Sequence, residues 1–233
     1  MKPILIIQTG HTFPEIAAAH GDFDDMVYRA LNGKQRKTRV VDVSRAAALP
    51  APSSCAAAVI TGSHEMVSDQ ADWSERTARW LSQAHEHGLP LFGICYGHQL
   101  LAHALGGEAG DNPNGLEIGT QTIERLPACD GDPLFAPLGN RFCAHTVHRQ
   151  SALKLPPQAV LLCRNPHEAH HAFRLGKHTW GVQFHPEFSA DIMNGYQRRH
   201  HGRKNSGEPA QNTPEAAALL QRFADYVSSV QAV

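Results

Sequence analysis

The 233-residue chain has almost no excess of charge: 21 Lys and Arg stand against 22 Asp and Glu, a net charge of -1. Such a balance provides no global field to draw in nucleic acid or an anionic membrane, so neither is an expected partner. Long apolar runs are also missing. None approaches the ~18 consecutive apolar residues of a spanning helix. The opening Ile4-Leu5-Ile6-Ile7 is too short for the apolar region of a secretion signal and lacks a small-residue cleavage site. The expected setting is therefore soluble, reducing and cytoplasmic. The five cysteines, at 55, 95, 129, 143 and 163, show no Cys-x-x-Cys spacing, which excludes a zinc ribbon and gives no disulfide framework. Aromatic residues are scarce at 7%, so aliphatic side chains must fill the core, and a hydrophobic content of 42% supplies them.

What is present is an alternation of short β-branched runs with helical patterns, the mark of βαβ units around a mainly parallel sheet. Strands are expected at 4–8, 38–43, 57–61 and 91–94, with helices at 22–31, 72–87 and 96–105. In the helix at 72–87, Trp73, Ala78, Trp80, Leu81 and Ala84 face the sheet. Beyond Gly106-Gly107 the texture changes to closely spaced strands at 119–124, 142–147, 160–164, 170–175 and 179–184, which read as antiparallel extensions. The polar, breaker-rich 198–213 is expected to be a loop. A last helix at 214–230 is expected to dock Ala217, Leu220, Phe223 and Val227 on the sheet. With no Pro/Ser-rich linker and no internal repeat, residues 1–233 read as one α/β domain.

The most informative stretch is Gly93-Ile94-Cys95-Tyr96-Gly97-His98-Gln99, between a buried strand and a helix. Its Gly-x-Cys-x-Gly spacing is that of a nucleophile elbow, where a sharp strand-to-helix turn thrusts one side chain above the sheet and the glycines relieve Cβ clashes. The amides opening the following helix favour thiolate over thiol. The backbone N–H of Tyr96, next after the nucleophile, can donate to an oxyanion. Most free cysteines are buried small hydrophobes, and Cys55, Cys129, Cys143 and Cys163 are read that way.

A thiolate attacking an amide needs an acid for the departing nitrogen and a base for the incoming water, and one imidazole can serve as both. Among 16 histidines, His185 stands out because it closes the run Thr179-Trp180-Gly181-Val182-Gln183-Phe184 and precedes Pro186-Glu187. A strand end is where α/β sheets gather their chemistry. The Glu187 carboxylate, two residues on, can hold the ring nitrogen that faces away from sulfur.

Together the elbow and Gly181-Val182-Gln183-Phe184-His185-Pro186-Glu187 resemble the two diagnostic motifs of the class I glutamine amidotransferase family, the Cys-His-Glu triad type. The likeness runs from the first strand to about Phe188 and is nearest to the glutaminase portion of GMP synthase and its stand-alone relatives. It implies a flavodoxin-like three-layer sandwich with a mixed, mainly parallel central sheet. It implies catalysis by Cys95, His185 and Glu187 through a γ-glutamyl thioester, with no cofactor and no metal. By the same resemblance Gly62 matches the second oxyanion donor and Gln99 a contact to bound glutamine. The run Ala144-His145-Thr146-Val147 resembles the segment that recognises the amino-acid end. The loop Thr61-Gly62-Ser63-His64-Glu65 departs from the Gly-Gly-Pro often found in the family.

The expected function is hydrolysis of glutamine or another γ-glutamyl compound. The alternatives are an ammonia-supplying subunit of a separate synthase and a non-catalytic regulatory module on the same fold. No Ser-Gly-Gly-x-Asp pyrophosphatase loop follows Glu187, so the chain is expected to be a hydrolase half or a free-standing hydrolase. The histidine pairs and clusters, such as His85 with His87 and His167 with His170-His171, lack zincin spacing and read as surface imidazoles. The basic run 198–204, with Arg198, Arg199, Arg203 and Lys204, ordinarily marks a solvated loop. Its place soon after His185 also allows it to fold over the pocket and select acidic γ-glutamyl substrates.

Overall fold

The computed structural model describes residues 2–201 and 208–231. In chain order the strands are β1 (Ile4–Gln8), β2 (Thr38–Asp42), β3 (Ala57–Ile60), β4 (Leu91–Ile94), β5 (Glu108–Asp111), β6 (Glu117–Arg125), β7 (Arg141–His148), β8 (Gln150–Lys154), β9 (Val160–Arg164), β10 (Ala172–Leu175) and β11 (Thr179–Val182). The α-helices are α1 (Pro14–His20), α2 (Phe23–Ala30), α3 (Asp72–Glu86), α4 (Tyr96–Ala104), α5 (Ala190–His201) and α6 (Pro214–Gln231).

Nine strands form one sheet in the order β2-β1-β3-β4-β11-β10-β9-β6-β7, while β5 and β8 form a separate antiparallel pair. The strands from β2 through β11 pair in parallel, and those from β11 through β7 pair antiparallel. The parallel strands are buried on both faces, so successive side chains feed two cores. Leu5, Ile7, Ala58, Ile60 and Leu91 pack with Trp80, Leu81, Leu100 and Leu101 of α3 and α4. Ile4, Ile6, Ala57, Val59 and Phe92 pack with Val27, Leu31, Leu220 and Phe223 on the other face, from α2, its C-cap and α6. The result is the three-layer, flavodoxin-like α/β architecture. A third apolar cluster, made of Ile16, Phe23, Met26, Phe188, Ile192, Met193 and Tyr196, joins α1, α2 and α5 at one end of the sheet.

Three expectations need correction. Residues 198–201 are helical, because α5 continues to His201, and Arg203 and Lys204 of the basic run lie outside the described residues. The polar composition of α5 hides a narrow stripe, Ile192, Met193 and Tyr196, spaced for one helical face. In α6 the buried stripe is Ala216, Leu219, Leu220, Phe223, Ala224 and Val227, and Ala217 is exposed. Finally, β11 ends at Val182 rather than running to Phe184. There the chain leaves the ladder, and the Gln183 and His185 amides donate to the carbonyls of His171 and His145.

Candidate active site

The chain turns sharply between β4 and α4. Cys95, the joining residue, has φ 50° and ψ -100°, a conformation that L residues rarely adopt and that costs of order 1–3 kcal/mol. Close packing imposes it. A Cβ on Gly93 would lie 2.4 Å from the Gly97 carbonyl oxygen, and one on Gly97 would lie 2.5 Å from that of Ile60. Both contacts are with backbone, so only glycine fits. The Cys95 amide is tied to the Val182 carbonyl at 2.8 Å, which binds the elbow to β11. Its Sγ lies 3.8 Å from the Val147 carbonyl oxygen.

The register of β11 beside β4 carries His185 to the elbow. Its Nδ1 hydrogen-bonds Glu187 Oε1 at 2.8 Å, and both side chains are almost wholly buried. The ring stacks on Phe188 at 4.1 Å between centroids. That arrangement directs the Nδ1 proton to Glu187 and leaves Nε2, which has no hydrogen-bond partner among the described residues. Burial by itself would lower the imidazole's proton affinity. The Glu187 carboxylate and then Cys95 outweigh it and raise the pKa to about 10. A protonated imidazole thus sits beside the thiol at neutral pH.

Gly62 closes the site from the end of β3. A Cβ there would lie 3.1 Å from His185 Cε1 and 3.8 Å from Cys95 Cβ, so its backbone passes directly over both. The Gly62 carbonyl is held by the hydroxyls of Thr9 and Thr61, each at 3.0 Å. Among the described residues no acceptor takes the Gly62 N–H. Tyr96 is the first residue of α4, where an N–H has no carbonyl one turn back. Its phenol is remote from this role, bonded to Ser74 Oγ at 2.6 Å, and burial pushes it up to about 12.

A cavity of about 370 Å³ opens over Cys95. One wall is Ser63–Met66, the opposite wall is Leu116 with Val147–Gln150, and Phe13, Tyr196 and Arg199 cover the mouth. A wider groove of about 1080 Å³ touches Pro186, Glu187 and His145 but not Cys95, so the smaller cavity is the one next to the nucleophile.

The model of the family described as "Glutamine amidotransferase class-I" matches residues 19–196, most of the chain. The chain belongs to the class-I glutamine amidotransferase family. A GMP synthase [glutamine-hydrolyzing] from Aeropyrum pernix is 38% identical over 115 residues, which cover 49% of this chain and 22% of that protein. Gamma-glutamyl peptidase 5 from Arabidopsis thaliana is 26% identical over 137 residues, covering 58% and 55%. The chain therefore spans only part of the length of these relatives. A glutamine amidotransferase crystal structure from Methylobacillus flagellatus superposes with a TM-score of 0.72 at 24% identity, covering 98% of this chain and 93% of the other. That likeness speaks to the fold.

Within this amidotransferase fold, Cys95, His185, Glu187, Gly62 and the Tyr96 amide converge on one point. Gln99 also lines the cavity, but its Nε2 is occupied by the Gln150 carbonyl at 2.7 Å and by Gln183 Oε1 at 3.1 Å. It thereby pins the 147–150 wall. His145 is not brought to the cavity. Its Nδ1 meets Thr120 Oγ1 at 3.2 Å, its carbonyl accepts from the His185 amide, and the cavity is lined by Val147–Gln150 instead. Burial and the neighbouring His185 lower the His145 pKa to about 4.

Sequence reading missed several parts of the site. Thr9 fixes the oxyanion loop, Phe188 supports the imidazole, and Phe13 and Tyr196 roof the cavity. It also missed the buried group behind the wall, where Glu117 Oε2 meets His148 Nε2 at 3.0 Å and His171 Nε2 at 3.3 Å. Glu117 Oε1 takes Asn165 Nδ2 at 2.7 Å. Burial opposes the carboxylate's charge, but the His148 and His171 hydrogen bonds prevail and hold its pKa well below the usual range. The run Glu117-Ile118-Gly119 gave no warning of this partnership. Among the described residues no group of three or more His, Cys, Asp or Glu side chains is placed to hold a metal ion.

Proposed function

We propose that the protein hydrolyses a γ-glutamyl amide through a γ-glutamyl thioester on Cys95. The observation that carries this reading is the line from Cys95 through a protonated, buried His185 to Glu187, beneath the unpaired Gly62 amide. Cys95 Sγ attacks the δ-carbonyl carbon, and the carbonyl electron pair moves onto oxygen, which meets the N–H groups of Gly62 and Tyr96. His185 Nε2–H protonates the amide nitrogen as the C–N bond breaks, and ammonia or an amine leaves. Water then gives a proton to Nε2 and its oxygen to the thioester carbon. Collapse of that adduct releases glutamate and restores the thiolate. Glu187 keeps the imidazole in one tautomer throughout. A cytoplasmic setting belongs to this reading, and five unbridged thiols agree with it.

The Aeropyrum pernix relative supports a second reading, in which the released ammonia passes to a separate synthase subunit. Glutamine turnover that rises only when such a subunit is added would favour it; full turnover alone favours the free hydrolase. Either reading is tested by exposing the protein to a diazoketone analogue of glutamine and locating the adduct by mass spectrometry. One adduct on Cys95 is expected, and none with Cys95→Ala. A protein left unmodified at saturating reagent would refute thioester chemistry.

A further inference from the structure

The charge of the cavity goes further than the triad. Its lining holds two guanidinium groups, Arg149 and Arg199, against a single carboxylate, Glu65. With the histidines neutral, the lining carries one cation in excess. Glutamine is a zwitterion of zero net charge, whereas a γ-glutamyl amino acid carries a second carboxylate on its leaving group and a net charge of -1. Opposite net charge in a confined, partly desolvated cavity favours the second.

The two cations occupy different sides of the reacting atoms. Arg149 stands on the wall whose Val147 carbonyl lies 3.8 Å from Sγ and which Gln99 pins, so it flanks the nucleophile. It is exposed and has no ion-pair partner among the described residues. Arg199 belongs to the His185 side. From that imidazole a chain of rings runs through Phe188 at 4.1 Å, Tyr196 at 5.2 Å and Phe13 at 5.3 Å, and the Arg199 guanidinium lies 3.9 Å over the Phe13 ring. The amide nitrogen that accepts a proton from His185 must lie on this same side, and its substituent extends along the Phe13 and Tyr196 wall. Ammonia, the leaving group of glutamine, has no substituent to place there. An amino acid has its carboxylate two bonds from that nitrogen.

Arg199 is prepared for such a group. Glu15 Oε1 accepts from Nη1 at 2.8 Å, and the pair is exposed, with about half of each side chain open to solvent. An exposed pair of this kind holds the guanidinium flat on Phe13 with little stabilisation. The remaining N–H groups are available to a carboxylate.

We infer that the cavity is selective for γ-glutamyl amino acids over glutamine and neutral γ-glutamyl amines, with Arg199 the residue that binds the leaving-group carboxylate. This rests on the hydrolase reading above. The test compares γ-glutamylalanine, γ-glutamylalaninamide and glutamine as substrates of the full chain. The wild type is expected to favour the acid over its amide by about tenfold in kcat/KM, mainly through KM, a ratio equivalent to about 1.4 kcal/mol. Arg199→Gln should bring the ratio close to one, and Arg199→Lys should retain part of it. Arg149→Gln should lower both substrates alike and keep the ratio. Equal rates for acid and amide in the wild type, or an unchanged ratio in Arg199→Gln, would overturn the inference while leaving γ-glutamyl hydrolysis intact. Turnover of none of the three, together with no adduct on Cys95, would overturn the hydrolase reading and this inference with it.

Discussion

Glu187 decides the state of His185. The ring is buried, which by itself favours the neutral imidazole, and the carboxylate 2.8 Å away reverses that preference. The sign is clear for kinetics: a group with a pKa near 10 loses its proton, and with it the general acid, only as pH rises through that value. Replacing Glu187 by Gln removes the largest raising influence, so the alkaline limb of kcat/KM should move toward neutrality. The maximal rate should also fall by about 10²–10⁴, the usual worth of a positioned acid-base group. Stopped-flow or steady-state pH profiles of wild type and Glu187→Gln would show it; coincident alkaline limbs would contradict the assignment. The pairing was legible in the spacing His185-Pro186-Glu187. The stacking of Phe188 on the ring was not, because a ring's orientation depends on the third apolar cluster packing beneath it.

At the scale of elements, the junction of β7 and β8 forms the wall beside the nucleophile. Three buried donors converge on the Glu117 carboxylate behind it, and one of them, His148, lines the cavity. Glu117→Gln keeps the shape but puts an amide where an acceptor faced imidazole nitrogens. Hydrogen bonds to a charged group are worth about 1.5–3 kcal/mol, and each kcal/mol moves the melting temperature of a chain this size by about 2–4 °C. A melting point lower by several degrees is expected, with KM raised more than kcat because the wall contacts substrate away from the scissile bond. Thermal melts and Michaelis curves together check this, and a variant with wild-type melting and KM would remove the wall's dependence on Glu117. The helix α5 shows the limit of pattern reading at this scale. Its charged 198–201 end reads as loop, yet the stripe of Ile192, Met193 and Tyr196 docks the whole helix and delivers Arg199 to the cavity.

For the whole molecule, buried titratable groups set a stability optimum. Desolvation lowers the His98 pKa to about 3 and the His145 pKa to about 4, so below pH 6.5 the unfolded chain takes up protons that the folded chain refuses. Stability therefore falls as pH drops from 6.5 toward 4. Glu117, held below its ordinary 4.5, adds a further loss under that pH. His185 acts in the opposite direction. Its raised pKa stabilises fully below 6.5, and the contribution declines as pH climbs toward 10. Calorimetric melting should thus peak near pH 6.5, with the alkaline decline flattened in Glu187→Gln. A curve rising steadily from pH 7 to 9 would contradict this.

The sequence by itself determined the features that depend on local sterics and periodicity. Gly93 and Gly97 around Cys95 admit only a turn too tight for any Cβ, and the apolar runs of β1, β3 and β4 require a layer on each face. Those two facts made the nucleophile and the α/β class readable. Tertiary structure decided which surfaces meet. Insertion of β11 between β4 and β10 sets His185 against Cys95. Departure of the chain from β11 after Val182 turns His145 into a backbone acceptor, and the β7–β8 junction takes its place at the cavity. The Thr9, Phe13 and Arg199 contributions come from segments far apart in the chain. Such contacts arise from packing of whole elements, and no local pattern encodes them.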